Sequence, residues 1–165
     1  MTVTRVDKDP VALTLTIASD LACSVERAWQ LWADPRQLER WWGPPTYPAT
    51  FVDHDLTPGA RVSYFMTDPD GAKYYGYWDV VAVDPPHRLE VQDGFADHSG
   101  QPSESMPGPG VMIVTLSPSA DGGGTEMVIE SRFPSAEAMA QILEMGQEEG
   151  MVAALSQVEG ILASA

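Results

Sequence analysis

The chain has 165 residues, 44% of them apolar and 20% charged, which suits one folded domain with a single core. Its net charge of −15 repels phosphate backbones with no basic cluster to offset it, so nucleic acid is excluded as a partner. One cysteine, Cys23, excludes an internal disulfide and a multi-cysteine metal site. No apolar run is long enough to span a membrane, and the N-terminus "MTVTRVDKDP" lacks the apolar stretch of a signal peptide, so a cytoplasmic protein is expected.

Residues 1–10 read as an N-terminal tail. "VALTLTIAS" then alternates, with Val11, Leu13, Leu15 and Ile17 on one face, as in a half-buried strand. "SVERAWQLWAD" follows as a helix: Ser24 is a good N-cap, and Val25, Ala28, Trp29 and Trp32 recur at helical spacing. "PRQLERWW" is a second short helix with Pro35 at its first position, stopped by Gly43-Pro44-Pro45.

Apolar runs with turn signals between them come next, the pattern of an antiparallel meander. They are "ATFVDHDL", "RVSYFMT", "KYYGYWDVVAVD" and "RLEVQDGF". Residues 93–110, "DGFADHSGQPSESMPGPG", form a long loop rich in Pro, Gly and Ser, with a lid as its functional reading. "VMIVTLSP" and "TEMVIESRF" make a last hairpin around "ADGGG".

The periodicity predicts one long C-terminal helix from about Ala136 to Leu162. Met139, Leu143, Gly146, Gly150, Ala154 and Ile161 fall on one face of it. Each glycine costs about 1 kcal/mol relative to Ala inside a helix. The pair on the buried face therefore either lets a large aromatic approach or leaves a void. Strand, two short helices, about six strands and a long helix together predict an α+β fold.

Side-chain chemistry is sparse. His54, His87 and His98 have no partner at metal-ligand spacing, so no metal is expected. No nucleotide or nucleophile signature implies a cofactor. Cys23 reads as an inert thiol near a helix start. Asp79 and Glu130 lie mid-strand, where an inward carboxylate would serve as acid or base; exposure is the simpler reading.

The aromatic residues and methionines carry more information. Tyr64 shares a strand face with Val62 and Met66. Tyr75 and Tyr77 share one face of the next strand and Trp78 lies on the other; both faces are apolar, so the pattern leaves the inward one open. Met112 and Val114 form an inward set on the last hairpin. Core packing competes with pocket lining at each of these positions.

The segments "SVERAWQLWADPRQLERWWGP", "LTPGARVSYFMTDPDG", "VVAVDPPHRLEV", "DGFAD", "GGGTEMVIESRFPSAEAM" and "LEMGQEEGM" occur in an order that resembles the SRPBCC (START-like) superfamily. Within it the chain resembles the branch related to the activator of Hsp90 ATPase (AHSA1-like). The resemblance implies a helix-grip (START/Bet v 1-like) fold, a curved antiparallel sheet around the C-terminal helix, with an apolar cavity between them. It implies an apolar small molecule as ligand; the aromatic and apolar residues Trp42, Tyr64, Met66, Tyr75, Tyr77 and Phe95 are the candidate lining on the sheet side of such a cavity. Met112, Val114, Met139, Leu143, Gly146 and Gly150 complete the expected lining. Two other readings stand beside ligand binding: a polyketide cyclase-like enzyme using the same cavity, and an Hsp90 co-chaperone-like interaction domain. A homodimer through an exposed segment at Trp41 and Trp42 is a further expectation.

Overall fold

The computed structural model of the chain describes residues 3–163. In chain order these form β1 (Val3–Asp9), β2 (Thr14–Leu21), α1 (Val25–Ala33), α2 (Pro35–Trp41), β3 (Ala49–Asp53), β4 (Arg61–Thr67), β5 (Lys73–Asp84) and β6 (Arg88–Ala96). β7 (Gly110–Pro118), β8 (Thr125–Arg132), α3 (Ala136–Glu144), α4 (Gln147–Leu155) and α5 (Val158–Ala163) complete the chain. The strands make one antiparallel sheet in the order β1-β2-β8-β7-β6-β5-β4-β3. The fold is α+β, a curved sheet gripping C-terminal helices.

The two short helices form as their caps predict. The Ser24 hydroxyl accepts from the Arg27 amide at 3.1 Å, and the Asp34 carboxylate, between α1 and α2, accepts from the Arg36 amide at 2.9 Å. Pro35 occupies the first position of α2, where its missing N–H loses no hydrogen bond. The apolar stripe of α1 (Ala28, Trp29, Leu31, Trp32) is buried.

Opposed residues in an antiparallel sheet share a face, so the register assigns every side chain. Leu15, Ile17 and Leu21 of β2 share the concave face with Met127 and Ile129 of β8, Met112, Val114 and Leu116 of β7, and Leu89 and Val91 of β6. All of these are at most 3% exposed and form the core with α1 and α2.

Three expectations change at the chain's ends. Met1 and Thr2 lie outside the described residues, but Val3–Asp9 is an edge strand paired with β2, not a tail. Val6 opposes Ile17, so even this polar stretch carries an inward apolar residue. Next, β2 starts at Thr14 rather than Val11. The Asp9 carboxylate accepts from the amides of Val11 and Ala12, and Leu13 turns the chain at φ 62°, leaving Val11 93% exposed.

The long C-terminal helix is the third. It is broken into three pieces. Gly146 sits at φ 95°, a left-handed conformation that ends α3 and starts α4, and its amide donates to the Leu143 carbonyl at 3.0 Å. A second joint falls between α4 and α5, where the Gln157 side chain donates to the Gly43 carbonyl at 2.8 Å and pins the joint to the segment after α2. At the other end of α4, Glu148 pairs with Lys8 of β1 at 2.8 Å. The C-terminal helices are thus tied to the edge strand β1 at one point and to the segment between α2 and β3 at another.

Candidate functional site

The concave face changes character toward β4, β5 and β6. There Tyr64, Met66, Asp93 and Phe95 remain half-buried, as do Ile142 and Leu143 of α3 and Met151 and Val152 of α4. Their deeper neighbours Val62, Trp78 and Val91 are fully buried.

Tyr64 is the centre of this region. It opposes Gly76 across the β4–β5 pair, and its ring lies flat over that glycine: a Cβ on Gly76 would come within 2.5 Å of the phenol Cζ and hydroxyl. Phe51 stacks on the ring at 5.0 Å, while Trp42 and Trp78 meet it edge-on at 6.1 and 5.9 Å. Trp42 and Trp78 themselves cross at 90° with centroids 5.0 Å apart.

The tryptophans of this cluster divide into two classes. Trp32 donates its indole N–H to Met127 Sδ at 3.3 Å, and Trp41 donates to the Leu31 carbonyl at 3.0 Å. The indole N–H groups of Trp42 and Trp78 are buried and meet no acceptor at hydrogen-bonding geometry. Both approach the Tyr64 hydroxyl closely enough to lower its pKa, but not well enough to be satisfied by it. A buried donor left unpaired costs about 1–3 kcal/mol, so two at one place ask for an explanation.

Asp93 completes the group. It follows Leu89 and Val91 on the inward face of β6 and opposes Trp78 on one side and Gly110 on the other. A Cβ on Gly110 would lie 3.7 Å from its carboxylate. Desolvation pushes the Asp93 carboxyl up to about 6, and its own backbone N–H pulls it partly back. Burial also holds the Tyr64 phenol well above its ordinary value, and the nearby Asp93 charge raises it further. At neutral pH the site therefore presents a protonated phenol, a carboxylate poised to take a proton, and two indole N–H groups aimed at the phenol oxygen without full hydrogen-bond geometry, all in apolar surroundings.

A separate depression of about 310 Å³ opens between α1 and the β5–β6 turn, lined by Trp29, Ala33, His54, Leu56, Val83 and Pro85. His54 there is engaged with the Trp32 carbonyl at 2.9 Å, and His87 with the Leu116 carbonyl at 3.2 Å. Among the described residues, no three His, Cys, Asp or Glu side chains converge as metal ligands. No helix there is long and apolar enough to cross a membrane.

Residues 22–163 match the family model described as activator of Hsp90 ATPase homolog 1-like protein. The chain belongs to the AHSA1-like family. This AHSA1-like chain is 49% identical to protein Ms6760 from Mycobacterium smegmatis, with TM-score 0.88 over 97% of this chain and 96% of that one. It is 44% identical to a protein from Arthrobacter aurescens, with TM-score 0.92 over 99% and 94% of the two chains. It shares its fold with DynU16, a putative protein in the dynemicin biosynthetic locus, at 18% identity and TM-score 0.63, over 89% of this chain and 47% of that one. No curated protein matches it.

The residues expected to line a cavity are distributed as follows. Trp42, Tyr64, Met66 and Phe95 face the concave side beside Asp93, while Met112 and Val114 lie deeper on the same face. On α3, Met139 is buried and Leu143 is half-buried.

Tyr75 and Tyr77 are corrected: they lie on the convex face, opposite Phe65 and Ser63 of β4, and Trp78 is the inward aromatic. Tyr77 is nonetheless 4% exposed, because it packs onto Gly94 and under the Arg61 guanidinium, 4.7 Å from its ring centre. Both faces of β5 therefore carry a buried aromatic residue, Trp78 inward and Tyr77 outward.

Gly146 and Gly150 do not serve close packing: a Cβ on Gly150 meets nothing within 4 Å, and one on Gly146 meets only the Glu149 carboxylate at 3.9 Å. Trp41 and Trp42 are not an exposed contact segment either, at 0% and 6% exposure.

Asp79 and Glu130 point away from the site, paired with Arg61 and Arg132. Asp93 is the inward carboxylate that sequence reasoning missed. Asp93, Gly94 and Phe95 read both as the end of the strand "RLEVQDGF" and as the start of the 93–110 loop, whereas β6 runs through Ala96. Continuing the Leu89, Val91 alternation two residues at a time reaches Asp93 and Phe95 and would have found it.

Proposed function

We propose that this protein holds a mainly apolar small molecule between the concave face of the sheet and α3–α4, with the ligand's polar end at Trp42, Tyr64, Trp78 and Asp93. The observation that carries this reading is the pair of buried indole N–H groups with no acceptor, Trp42 Nε1 and Trp78 Nε1, converging on one hydroxyl. A ligand oxygen between them would satisfy donors that the protein leaves unpaired. Half-buried apolar side chains on both the sheet and the helices supply contact for the rest of the molecule. With a net charge of −15, the chain disfavours an anionic ligand.

The test is native mass spectrometry of the protein purified from its own host, with titration of the neutral fluorescent probe N-phenyl-1-naphthylamine. Binding of one equivalent, weakened by Tyr64→Phe and Trp42→Phe, is expected. No co-purified species and no probe binding would overturn the reading.

A further inference from the structure

The site pairs a base with hydrogen-bond donors across an apolar surface, and that combination does more than hold a ligand. Asp93 lies on the inward face of β6, directly opposite Trp78 of β5, with Tyr64 on the same face of β4 and Trp42 on the α2–β3 segment against both aromatic rings. Tyr64 cannot drift, because Phe51 stacks on it and Gly76 lies beneath it. Asp93 is fixed in register between Trp78 and Gly110. We propose, on the basis of the ligand-binding reading above, that the protein enolises a ketone: Asp93 removes a proton from the carbon next to the carbonyl, and Tyr64, Trp42 and Trp78 hold the oxygen.

The step balances within the site. The Asp93 carboxylate forms an O–H bond with the α-proton. The electrons of the broken C–H bond become the C=C bond, and the carbonyl π pair moves to oxygen. The oxygen gains negative charge where the phenol and indole N–H groups donate, which is where preorganised donors lower a barrier. The proton then returns from Asp93 to the same carbon, regenerating the ketone, or to a conjugated carbon, giving an isomer. No oxidant, reductant or metal enters.

The electrostatics agree with these roles. The Tyr64 phenol is held protonated by burial and by the Asp93 charge, so it donates rather than competes as a base. Tyr77 is the other titratable group that feels Asp93, and it lies on the convex face with its hydroxyl over Gly94. The carboxyl, raised to about 6, is a stronger base than an exposed aspartate yet ionised at neutral pH.

The experiment uses 2-tetralone in heavy water, with α-deuteration read by proton NMR and binding read separately by tryptophan fluorescence. Exchange faster than buffer by about 100-fold or more is expected, the scale of general base catalysis. The rate should fall as pH drops through about 6. Asp93→Asn should return exchange to the buffer rate while 2-tetralone still binds, and Tyr64→Phe should slow it by about 100-fold, the scale of a single lost oxyanion donor. Bound 2-tetralone that exchanges no faster than in buffer would overturn the inference and leave the binding reading intact. So would an Asp93→Asn variant as fast as wild type. Failure of 2-tetralone to bind while N-phenyl-1-naphthylamine does would overturn it as well; failure of both probes removes the binding reading itself.

Discussion

The Tyr64 hydroxyl lies over Gly76 so closely that a Cβ on that glycine would sit 2.5 Å from it. Gly76 is therefore the floor on which the phenol rests. Phe51 on one side and Trp42 and Trp78 on the others leave the ring nowhere to move.

Gly76→Ala is expected to destabilise the fold by about 1–3 kcal/mol, the range for overpacking a well-filled site. Equilibrium denaturation checks this. In a double-mutant cycle with Tyr64→Leu the two effects should be non-additive, because removing the ring removes the clash. Additive effects would show that Tyr64 does not rest on Gly76.

The Asp93 carboxyl gives stability a pH dependence of definite sign. Its folded pKa, about 6, lies above the ordinary value of 3.8, so the folded state binds the proton more tightly. Stability from this group is therefore full at low pH and is lost as pH rises from about 4 to about 6. The penalty above pH 6 is therefore at most about 3 kcal/mol. Asp93→Asn is expected to be more stable than wild type by about 1–3 kcal/mol at pH 7.5 and equal to it near pH 4. Thermal denaturation across that range measures it; a variant less stable at every pH would contradict a desolvated, unpaired Asp93.

The two glycines of the C-terminal helices should behave differently. Gly146 sits at φ 95°, so Gly146→Ala places an L-residue in the left-handed region and should cost about 1–2 kcal/mol. Gly150 lies in α4 with nothing within 4 Å of an added Cβ, so Gly150→Ala should be neutral or stabilise by up to about 1 kcal/mol. Gly150→Leu should fold and bind N-phenyl-1-naphthylamine about 10-fold more weakly, as expected when apolar bulk enters a ligand's space. Unchanged binding would mean that Gly150 borders solvent rather than ligand.

The two faces of β5 provide a further contrast. Tyr77→Phe acts on the convex face and should leave probe binding unchanged. Tyr64→Phe, on the concave face, should weaken it. Equal effects would show that the ligand does not distinguish the faces.

Strand alternation and helix caps made most of the fold legible in the sequence. Ser24 and Asp34-Pro35 fix local structure by short-range hydrogen bonds, and these appear as expected. What stayed hidden depends on position in space. The apolar pattern runs through Gly146 without interruption, so only its φ reveals that one helix is several. Tyr77 looked like a cavity residue because nothing in its own strand shows that Gly94 and Arg61 cover it from the convex side. Asp93 was hidden by its setting: a carboxylate followed by Gly, next to a stretch rich in Pro, Gly and Ser, resembles a loop start. The Leu89, Val91 alternation points it inward once β6 is carried past the start of that stretch, as the pairing with Trp78 and Gly110 does. That Trp42 and Trp78 lack acceptors while Trp32 and Trp41 have them is a fact of geometry with no sequence signature.

The most direct measurement is a proton–nitrogen correlation spectrum of the tryptophan indole N–H groups, recorded while 2-tetralone or N-phenyl-1-naphthylamine is added. The signals of Trp42 and Trp78 should move as their free donors find an acceptor or a ring edge. Those of Trp32 and Trp41, already bonded to Met127 and Leu31, should stay nearly still. Movement confined to Trp29, which lines the separate depression, or no movement at all, would contradict a ligand site at Trp42, Tyr64, Trp78 and Asp93.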